Sequence, residues 1–158
     1  MAMSLTHIDE KGNAKMVDVS EKQMTKREAI AVGKISMKLE TLDMIIEGNT
    51  PKGDVLATAR IAGIMGAKKT YELIPMCHNI PIDSVKVELK PNRAEKAIEI
   101  TAIAKCTYKT GIEVEALTAV SIAALTIYDM CKAVDRGMVI GDITLVKKTG
   151  GKSGTFEK

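Results

Sequence analysis

The sequence predicts an α+β domain in which helices cover one face of an antiparallel sheet. Two segments with strict apolar and polar alternation, residues 85–89 and 97–104, indicate neighbouring strands of a β-hairpin. Longer segments on either side, residues 55–68 and 112–134, carry apolar residues at helical spacing. Strands in pairs with helices between them are typical of such a layered fold. The chain has 158 residues, which suits a single domain.

The first part of the chain predicts an arm, a strand and a helix. Residues 1–26 are polar and have no sustained period, so we expect an arm that orders on another part of the structure. Residues 27–37 are small and apolar, and a strand is favoured over a short helix. Residues 39–47 place apolar side chains at helical spacing, and Gly48 ends this helix.

The middle and end of the chain predict the two main helices and the remaining strands. A turn at residues 51–54 makes Asp54 the N-cap of the helix over 55–68. The hairpin follows, with a loop over residues 91–95, and then the long helix. Residues 138–146 predict a closing strand, and 149–158 a flexible glycine-rich tail.

Composition excludes several classes of protein. Aromatic residues are only 3% of the chain and Trp is absent, so small aliphatic side chains must fill the core, and an RNA-stacking sheet is disfavoured. The net charge of +3 is not that of a dedicated nucleic-acid binder. Cys77, Cys106 and Cys131 are odd in number and form no CxxC, which argues against a disulfide framework or a structural zinc site.

The same patterns favour a cytoplasmic protein with reduced thiols. Residues 1–11 do not resemble a signal peptide, and the most apolar stretch, residues 116–125, is too short to span a bilayer. We therefore expect no membrane partner.

A polar stripe on the long helix is the first candidate for chemistry. Its members fall at spacings of three, four or their sums: Thr118, Ser121, Asp129, Lys132 and Arg136. One interpretation is a solvated face with an ion pair of Asp129 and Lys132, and this is the more common outcome. The other is a helix lining a polar cleft, with Asp129 and Lys132 as an acid–base pair.

Two further groups of residues have a structural and a functional interpretation. Glu113 and Glu115 suit a helix N-terminus, and they share a site only if Glu113 precedes the regular helix. Cys77 and His78 follow Met76 in a loop, either as a packed thiol and a surface imidazole or as part of a loop that holds a phosphate or a polar ring.

The tail contains Gly151, Lys152 and Ser153 but is not a P-loop. Val146 stands where the pattern requires glycine, and too few residues follow for a helix. A lid that closes over an anion and a disordered tail both remain open. Other basic residues are scattered in sequence, and composition does not show whether they converge: Arg27, Lys52, Lys68, Lys69, Lys132 and Lys148.

Several long stretches resemble motifs of the molybdenum cofactor biosynthesis protein C family. They are residues 52–63 (KGDVLATARIAG), 73–78 (LIPMCH), 109–119 (KTGIEVEALTA) and 126–133 (TIYDMCKA). Shorter matches are residues 5–9 (LTHID), 16–19 (MVDV) and 150–154 (GGKSG). The resemblance covers nearly the whole chain in order, and motifs of this length are far more specific than a lone glycine pattern.

The resemblance implies a ferredoxin-like fold, a homohexamer built as a trimer of dimers, and sites between subunits. It implies a lyase that converts cyclised guanosine triphosphate into cyclic pyranopterin monophosphate and releases pyrophosphate, with no organic cofactor and no metal site. The implied catalytic residues are Lys52, Asp129 and Lys132. The implied substrate-binding residues are Met76, Cys77, His78, Glu113, Val114, Glu115, Lys148, Lys68 and Arg27.

One position departs from the family pattern. Asn79 follows His78, where the family usually has proline, and this loosens the loop that holds His78.

Two other classes of function compete with the lyase. A non-catalytic binding module need not keep one acid and two bases together, and an RNA-binding module of similar topology lacks the aromatic residues it needs.

Overall fold

The computed structural model describes residues 8–158, so Leu5, Thr6 and His7 of the first short motif lie outside the described residues. The elements are β1 (Thr25–Ser36), α1 (Leu39–Glu47), α2 (Val55–Lys68), α3 (Thr70–Leu73), β2 (Ser84–Asn92), β3 (Ala97–Tyr108), α4 (Glu113–Cys131), β4 (Val139–Thr149) and β5 (Phe156–Glu157).

The described strands form one antiparallel sheet in the order β2-β3-β1-β4-β5. The main elements follow one another as β-α-β-β-α-β, which is the ferredoxin-like pattern. The predicted α+β fold is therefore confirmed. The segment that was ambiguous between strand and helix is β1, the middle strand of the sheet, paired with β3 and β4.

Small side chains fill the space between the sheet and the helices, as the composition predicted. Alternate residues of the two central strands face the helices and are buried, among them Ala29, Ala31, Ile35, Ile100 and Ala102. The helix pair α2 and α4 also packs closely. A Cβ at Gly63 would lie 2.9 Å from the carbonyl oxygen of Ala119, so glycine is required for this approach.

Helix α4 is long and apolar enough to cross a membrane, but it is the central helix of the core. Half of its most apolar window is buried in the structure. It packs against α2 and the sheet, and its buried residues include Ala116, Ala119, Ala123 and Ile127. Its composition is that of a helix covered by protein on most sides.

Helix α4 ends three residues earlier than the sequence predicted, at Cys131 rather than at residue 134. The next residues turn, and Asp135 is drawn into the interior, where its carboxylate accepts hydrogen bonds from the amides of Lys38 and Gly137 and from the Thr41 hydroxyl. Arg136 therefore lies beyond the helix, and the predicted polar stripe does not extend to it.

Other boundaries agree or differ by a few residues. Helix α1 has the predicted bounds, and the Asp54 carboxylate accepts a hydrogen bond from the Ala57 amide as the predicted N-cap of α2. Strand β2 continues through Pro91, which an edge strand tolerates. Beyond Thr149 the chain turns back, and Phe156 pairs with Lys148 in β5.

Two hydrogen bonds fasten the segment before β1 to the rest of the domain. The His78 Nε2 lies 2.7 Å from the carbonyl oxygen of Val17, and the Lys109 ammonium donates to the carbonyl oxygen of Ser20 at 2.7 Å. The segment therefore lies beside the loop after α3 and the end of β3.

Candidate active site

The first turn of α4, the loop after α3 and the strands β4 and β5 line an open cavity of about 590 Å³, which we call the ring cavity. Seven of the predicted site residues line it: Met76, Cys77, His78, Glu113, Val114, Glu115 and Lys148. Residues that are remote in sequence are thus brought together.

Glu115 is the most unusual side chain in the ring cavity because it is an acid buried in the protein. The residue is only 3% exposed. Burial raises the pKa of Glu115 to about 7, and the neighbouring charge of Glu113 acts in the same direction. Near neutral pH the carboxyl group therefore exists in both protonation states, so it can donate a hydrogen bond to a polar ring or accept one.

Glu113 lies two residues before Glu115 and is paired with a lysine of β4. The Lys148 ammonium donates to its carboxylate at 2.6 Å, and both side chains are mostly buried. Glu113 is the first residue of α4 and does not precede the helix, so the condition that the sequence analysis set for a shared site is not met. Both acids nevertheless line the same cavity, so that condition was wrong.

Cys77 and His78 supply a thiol and an imidazole to the same wall. Burial, followed by the charge of Glu115, raises the pKa of the Cys77 thiol, so it is a poor nucleophile at neutral pH. The carbonyl oxygen of Val17 can only accept, so the His78 Nε2 carries the proton in their hydrogen bond. These groups suit the binding of a polar ring better than covalent catalysis.

Arg27 lines an adjacent cavity of about 900 Å³, which shares Glu113 and Lys148 with the ring cavity. Its guanidinium is fixed by hydrogen bonds to the carbonyl oxygens of Tyr108 and Lys109, at 3.0 and 3.3 Å. We call this second space the basic cavity.

The three predicted catalytic residues form a separate cluster, the lysine–aspartate cluster of Lys52, Asp129 and Lys132. The Lys52 ammonium lies 2.9 Å from one carboxylate oxygen of Asp129, and the Lys132 ammonium lies 2.7 Å from the other. Lys52 comes from the turn before α2, whereas Asp129 and Lys132 come from the end of α4. Helix spacing alone predicted the pair of Asp129 and Lys132, and the fold brings Lys52, which the family resemblance implied, to the same carboxylate.

The bridging carboxylate stays ionised over the whole neutral range. The hydrogen bond from Lys132, followed by that from Lys52, lowers the pKa of Asp129 to about 2. In the single chain these side chains are about half exposed, with Asp129 at 54%. The stripe at this end of α4 is thus a solvated face here, and the cluster offers two ammonium groups held by one carboxylate.

The lysine–aspartate cluster and the ring cavity lie at opposite ends of α4. Glu115 and Asp129 are 14 residues apart, which at the helical rise of 1.5 Å per residue is about 21 Å. Lys68 lies exposed at the end of α2 and lines neither cavity. One chain by itself does not place all the predicted site residues around one small molecule.

The ring cavity also has walls that the sequence did not indicate. Lys22, Ile80, Leu145 and Phe156 line it, and they come from the arm, a loop and the last two strands. Leu145 and Phe156 are apolar residues on short or irregular strands, and no periodic pattern marks them as site residues. Only the tertiary fold brings them to the cavity.

The described residues contain neither a cluster arranged to bind a metal ion nor a disulfide. Among residues 8–158, no cluster of three or more His, Cys, Asp or Glu side chains is arranged to hold a metal ion. Cys77, Cys106 and Cys131 are all free thiols.

Comparison with known proteins assigns the chain to a protein family. Residues 16–151 match the model of the MoaC family. The chain is 62% identical over 158 residues to the cyclic pyranopterin monophosphate synthase of Clostridium acetobutylicum, covering 100% of this chain and 98% of that protein.

Other relatives of the same name match over almost their full length. The cyclic pyranopterin monophosphate synthase of Peptoclostridium acidaminophilum is 61% identical, with 99% of this chain and 98% of that protein covered. That of Thermoanaerobacter pseudethanolicus is 59% identical, with 99% of each chain covered. The resemblance seen in the motifs is confirmed, and the chain belongs to the MoaC family.

Proposed function

We propose that this protein is a cyclic pyranopterin monophosphate synthase, a lyase of molybdenum cofactor biosynthesis. It converts (8S)-3′,8-cyclo-7,8-dihydroguanosine 5′-triphosphate into cyclic pyranopterin monophosphate and releases pyrophosphate. One observation carries the proposal. A chain of the MoaC family retains both the ring cavity with its buried Glu115 and the complete lysine–aspartate cluster.

In this proposal the ring cavity binds the guanine-derived ring. Glu115 exchanges a hydrogen bond with a ring nitrogen or oxygen, and the pKa of about 7 lets the carboxyl group follow the protonation of the ring. Glu113, His78 and the backbone of Val114 supply further polar contacts along the same wall. The apolar part of the wall excludes water from the ring.

The lysine–aspartate cluster carries out the proton transfers. Opening the guanine-derived ring and closing the pterin ring require protons to move on and off nitrogen, which is general acid–base chemistry. Lys52 and Lys132 are the groups that exchange protons, and the ionised Asp129 holds both ammonium groups in place. The conversion contains no redox step, so no organic cofactor takes part.

Closure of the cyclic phosphate completes the reaction. A hydroxyl oxygen of the sugar bonds to the α-phosphorus while the bond from that phosphorus to the bridging oxygen of the β-phosphate breaks. The hydroxyl proton passes to a base, and pyrophosphate leaves with the bonding electrons. Nearby ammonium and guanidinium groups stabilise the charge that develops on the leaving oxygens.

The working site forms between subunits of a homohexamer built as a trimer of dimers. The distance of about 21 Å along α4 between Glu115 and Asp129 supports this arrangement, because a second chain must bring its lysine–aspartate cluster to the ring cavity. Burial between subunits would also remove the cluster from solvent and strengthen its electrostatic effects. We expect the enzyme to act in the cytoplasm, with its three thiols reduced.

The test is direct turnover of the cyclised guanosine triphosphate, with detection of the cyclic pterin phosphate and of pyrophosphate. Lys52→Ala and Lys132→Ala should each lower kcat at least about a hundredfold while the protein remains folded. Lys90→Ala, on the exposed face of the edge strand β2, is the matched control and should retain the wild-type rate. Product formation at near the wild-type rate by the cluster variants would refute the mechanism, and absence of product with the wild type would refute the function.

A further inference from the structure

The lining of the ring cavity combines the polar groups already described with apolar side chains, one of which is aromatic. The apolar residues include Val17, Ile80, Leu145 and Phe156. A flat heterocycle has polar edges and apolar faces, so it needs both kinds of contact in one cavity. The polar groups account for the edge of such a ring, and the aromatic side chain is the group suited to its face.

Phe156 is an aromatic residue that the core does not use. It is the only phenylalanine of a chain that has no tryptophan. The residue is 44% exposed, and within the described part of the chain it neither belongs to the hydrophobic core nor packs against it. Its aromatic surface is therefore available to whatever occupies the ring cavity.

The register of β5 against β4 turns this side chain towards the ring cavity. Phe156 is paired with Lys148, and Glu157 is paired with Lys147. Directly opposed residues of antiparallel strands project to the same face, so Phe156 lies beside Lys148, which also lines the cavity. Glu157 projects to the other face, where its carboxylate lies 3.6 Å from the Lys147 ammonium. A slip of one residue would put a carboxylate in place of the aromatic ring.

Backbone contacts on both sides of Phe156 hold this register. In the turn before β5, the Gly154 amide donates to the carbonyl oxygen of Gly151 at 3.2 Å. After Phe156, the Lys158 amide donates to the carbonyl oxygen of Val146 at 3.0 Å. Gly151 and Gly154 have positive φ, which lets the chain reverse here. The aromatic ring is thus presented by a hydrogen-bonded hairpin.

We propose that Phe156 is the stacking residue of the ring cavity, with its aromatic side chain against the face of the guanine-derived ring. This rests on the proposed function, because that reaction supplies a nitrogen heterocycle. Hydrogen bonds from groups such as Glu115 recognise only the edge of the heterocycle, whereas stacking recognises its planar face. Phe156 is therefore a specificity-determining residue that selects flat rings and fixes their tilt against Glu115.

The first test is turnover of the cyclised guanosine triphosphate by three variants of Phe156. The six-membered ring of guanine is retained in the pterin, so the stacking contact persists through the reaction, and its loss should raise KM more than it lowers kcat. Phe156→Ala should lower kcat/KM at least about fivefold. Phe156→Tyr keeps the aromatic face and should have the KM of the wild type, whereas Phe156→Leu keeps only apolar volume and should resemble Phe156→Ala. A wild-type KM in Phe156→Ala or in Phe156→Leu would refute stacking.

The second test does not depend on turnover. Because the chain has no tryptophan, Phe156→Trp places a single indole at the ring cavity. Free pterin should quench its fluorescence with a saturable dependence on concentration. Ala94→Trp is the matched control, in the exposed loop between β2 and β3, and its quenching should rise only linearly.

The two tests separate the stacking residue from the proposed function. If the wild type makes no product while pterin quenches Phe156→Trp saturably, the stacking residue stands and the proposed substrate is wrong. If the wild type makes product while Phe156→Trp and Ala94→Trp show the same linear quenching, the stacking residue is refuted and the function stands.

Discussion

The proposed sharing of the active site between subunits predicts that two inactive variants restore activity when they are combined. One variant is His78→Ala, which removes the imidazole from the ring cavity. The other is Lys132→Ala, which removes an ammonium group from the lysine–aspartate cluster. Each alone should lose at least about a hundredfold in kcat, because every site in its hexamer is damaged.

The expected recovery follows from the geometry. Glu115 and Asp129 are about 21 Å apart along α4, so in the proposed assembly a site takes its ring cavity from one chain and its cluster from another. In hexamers assembled at random from equal amounts of the two variants, about one site in four combines an intact cavity with an intact cluster. Co-expression should therefore restore roughly a quarter of the wild-type activity.

The assay is turnover by co-expressed protein, with the oligomeric state measured by light scattering. The matched control combines Lys52→Ala with Lys132→Ala, two defects within the same cluster. In that mixture every cluster is damaged whichever chain supplies it, so no activity should return. Equal and negligible activity in both mixtures would refute the shared site, as would a monomer in solution.

Three other predictions concern stability and charge. Because the pKa of Glu115 is raised to about 7, its carboxyl group stays protonated in the folded protein at pH values where it is ionised in the unfolded chain. The free energy of unfolding should therefore fall by up to about 3 kcal/mol as the pH rises from about 5 to about 7, and it should level off above that. Urea unfolding of the wild type and Glu115→Gln at about pH 5 and about pH 8 measures this, and an equal change in both proteins would contradict it. Gly63→Ala should lower the free energy of unfolding by about 1–3 kcal/mol, since its Cβ would press on the backbone of Ala119, whereas Gly141→Ala meets no neighbour and is the control. Asp129→Asn should reduce kcat at least about a hundredfold while the protein stays folded, because a neutral amide no longer holds the two ammonium groups; a kcat near that of the wild type would contradict the role of Asp129.

The sequence predicts the elements of this fold well where a local signal exists. Helix α1 has the predicted bounds because Gly48 can adopt the left-handed conformation that ends it. The predicted end of α4 was wrong because Ala133 and Val134 continue the apolar pattern beyond the helix. The interaction that ends the helix is made by Asp135 with the distant Lys38 and Thr41. Such an interaction has no local signature.

The contacts within the candidate site could be predicted from the sequence only where the residues are close together in the chain. Asp129 and Lys132 are spaced by three residues, so their pairing follows from the helix alone. The approach of Lys52 to Asp129 joins residues 77 positions apart, and only the family resemblance suggested it. Lys22 has no signal at all, because it lies in an irregular polar segment that reaches the cavities only through the tertiary structure.

In the proposed assembly, the length of helix α4 sets the distance between the two active sites to which one chain contributes. An inserted residue in the middle of it would turn everything beyond the insertion by about 100° and advance it by 1.5 Å. The lysine–aspartate cluster would then point away from the neighbouring chain, although the composition of the helix would hardly change. Loops such as residues 93–96 carry no such constraint, so the length of α4 is the dimension of this chain that tolerates least variation.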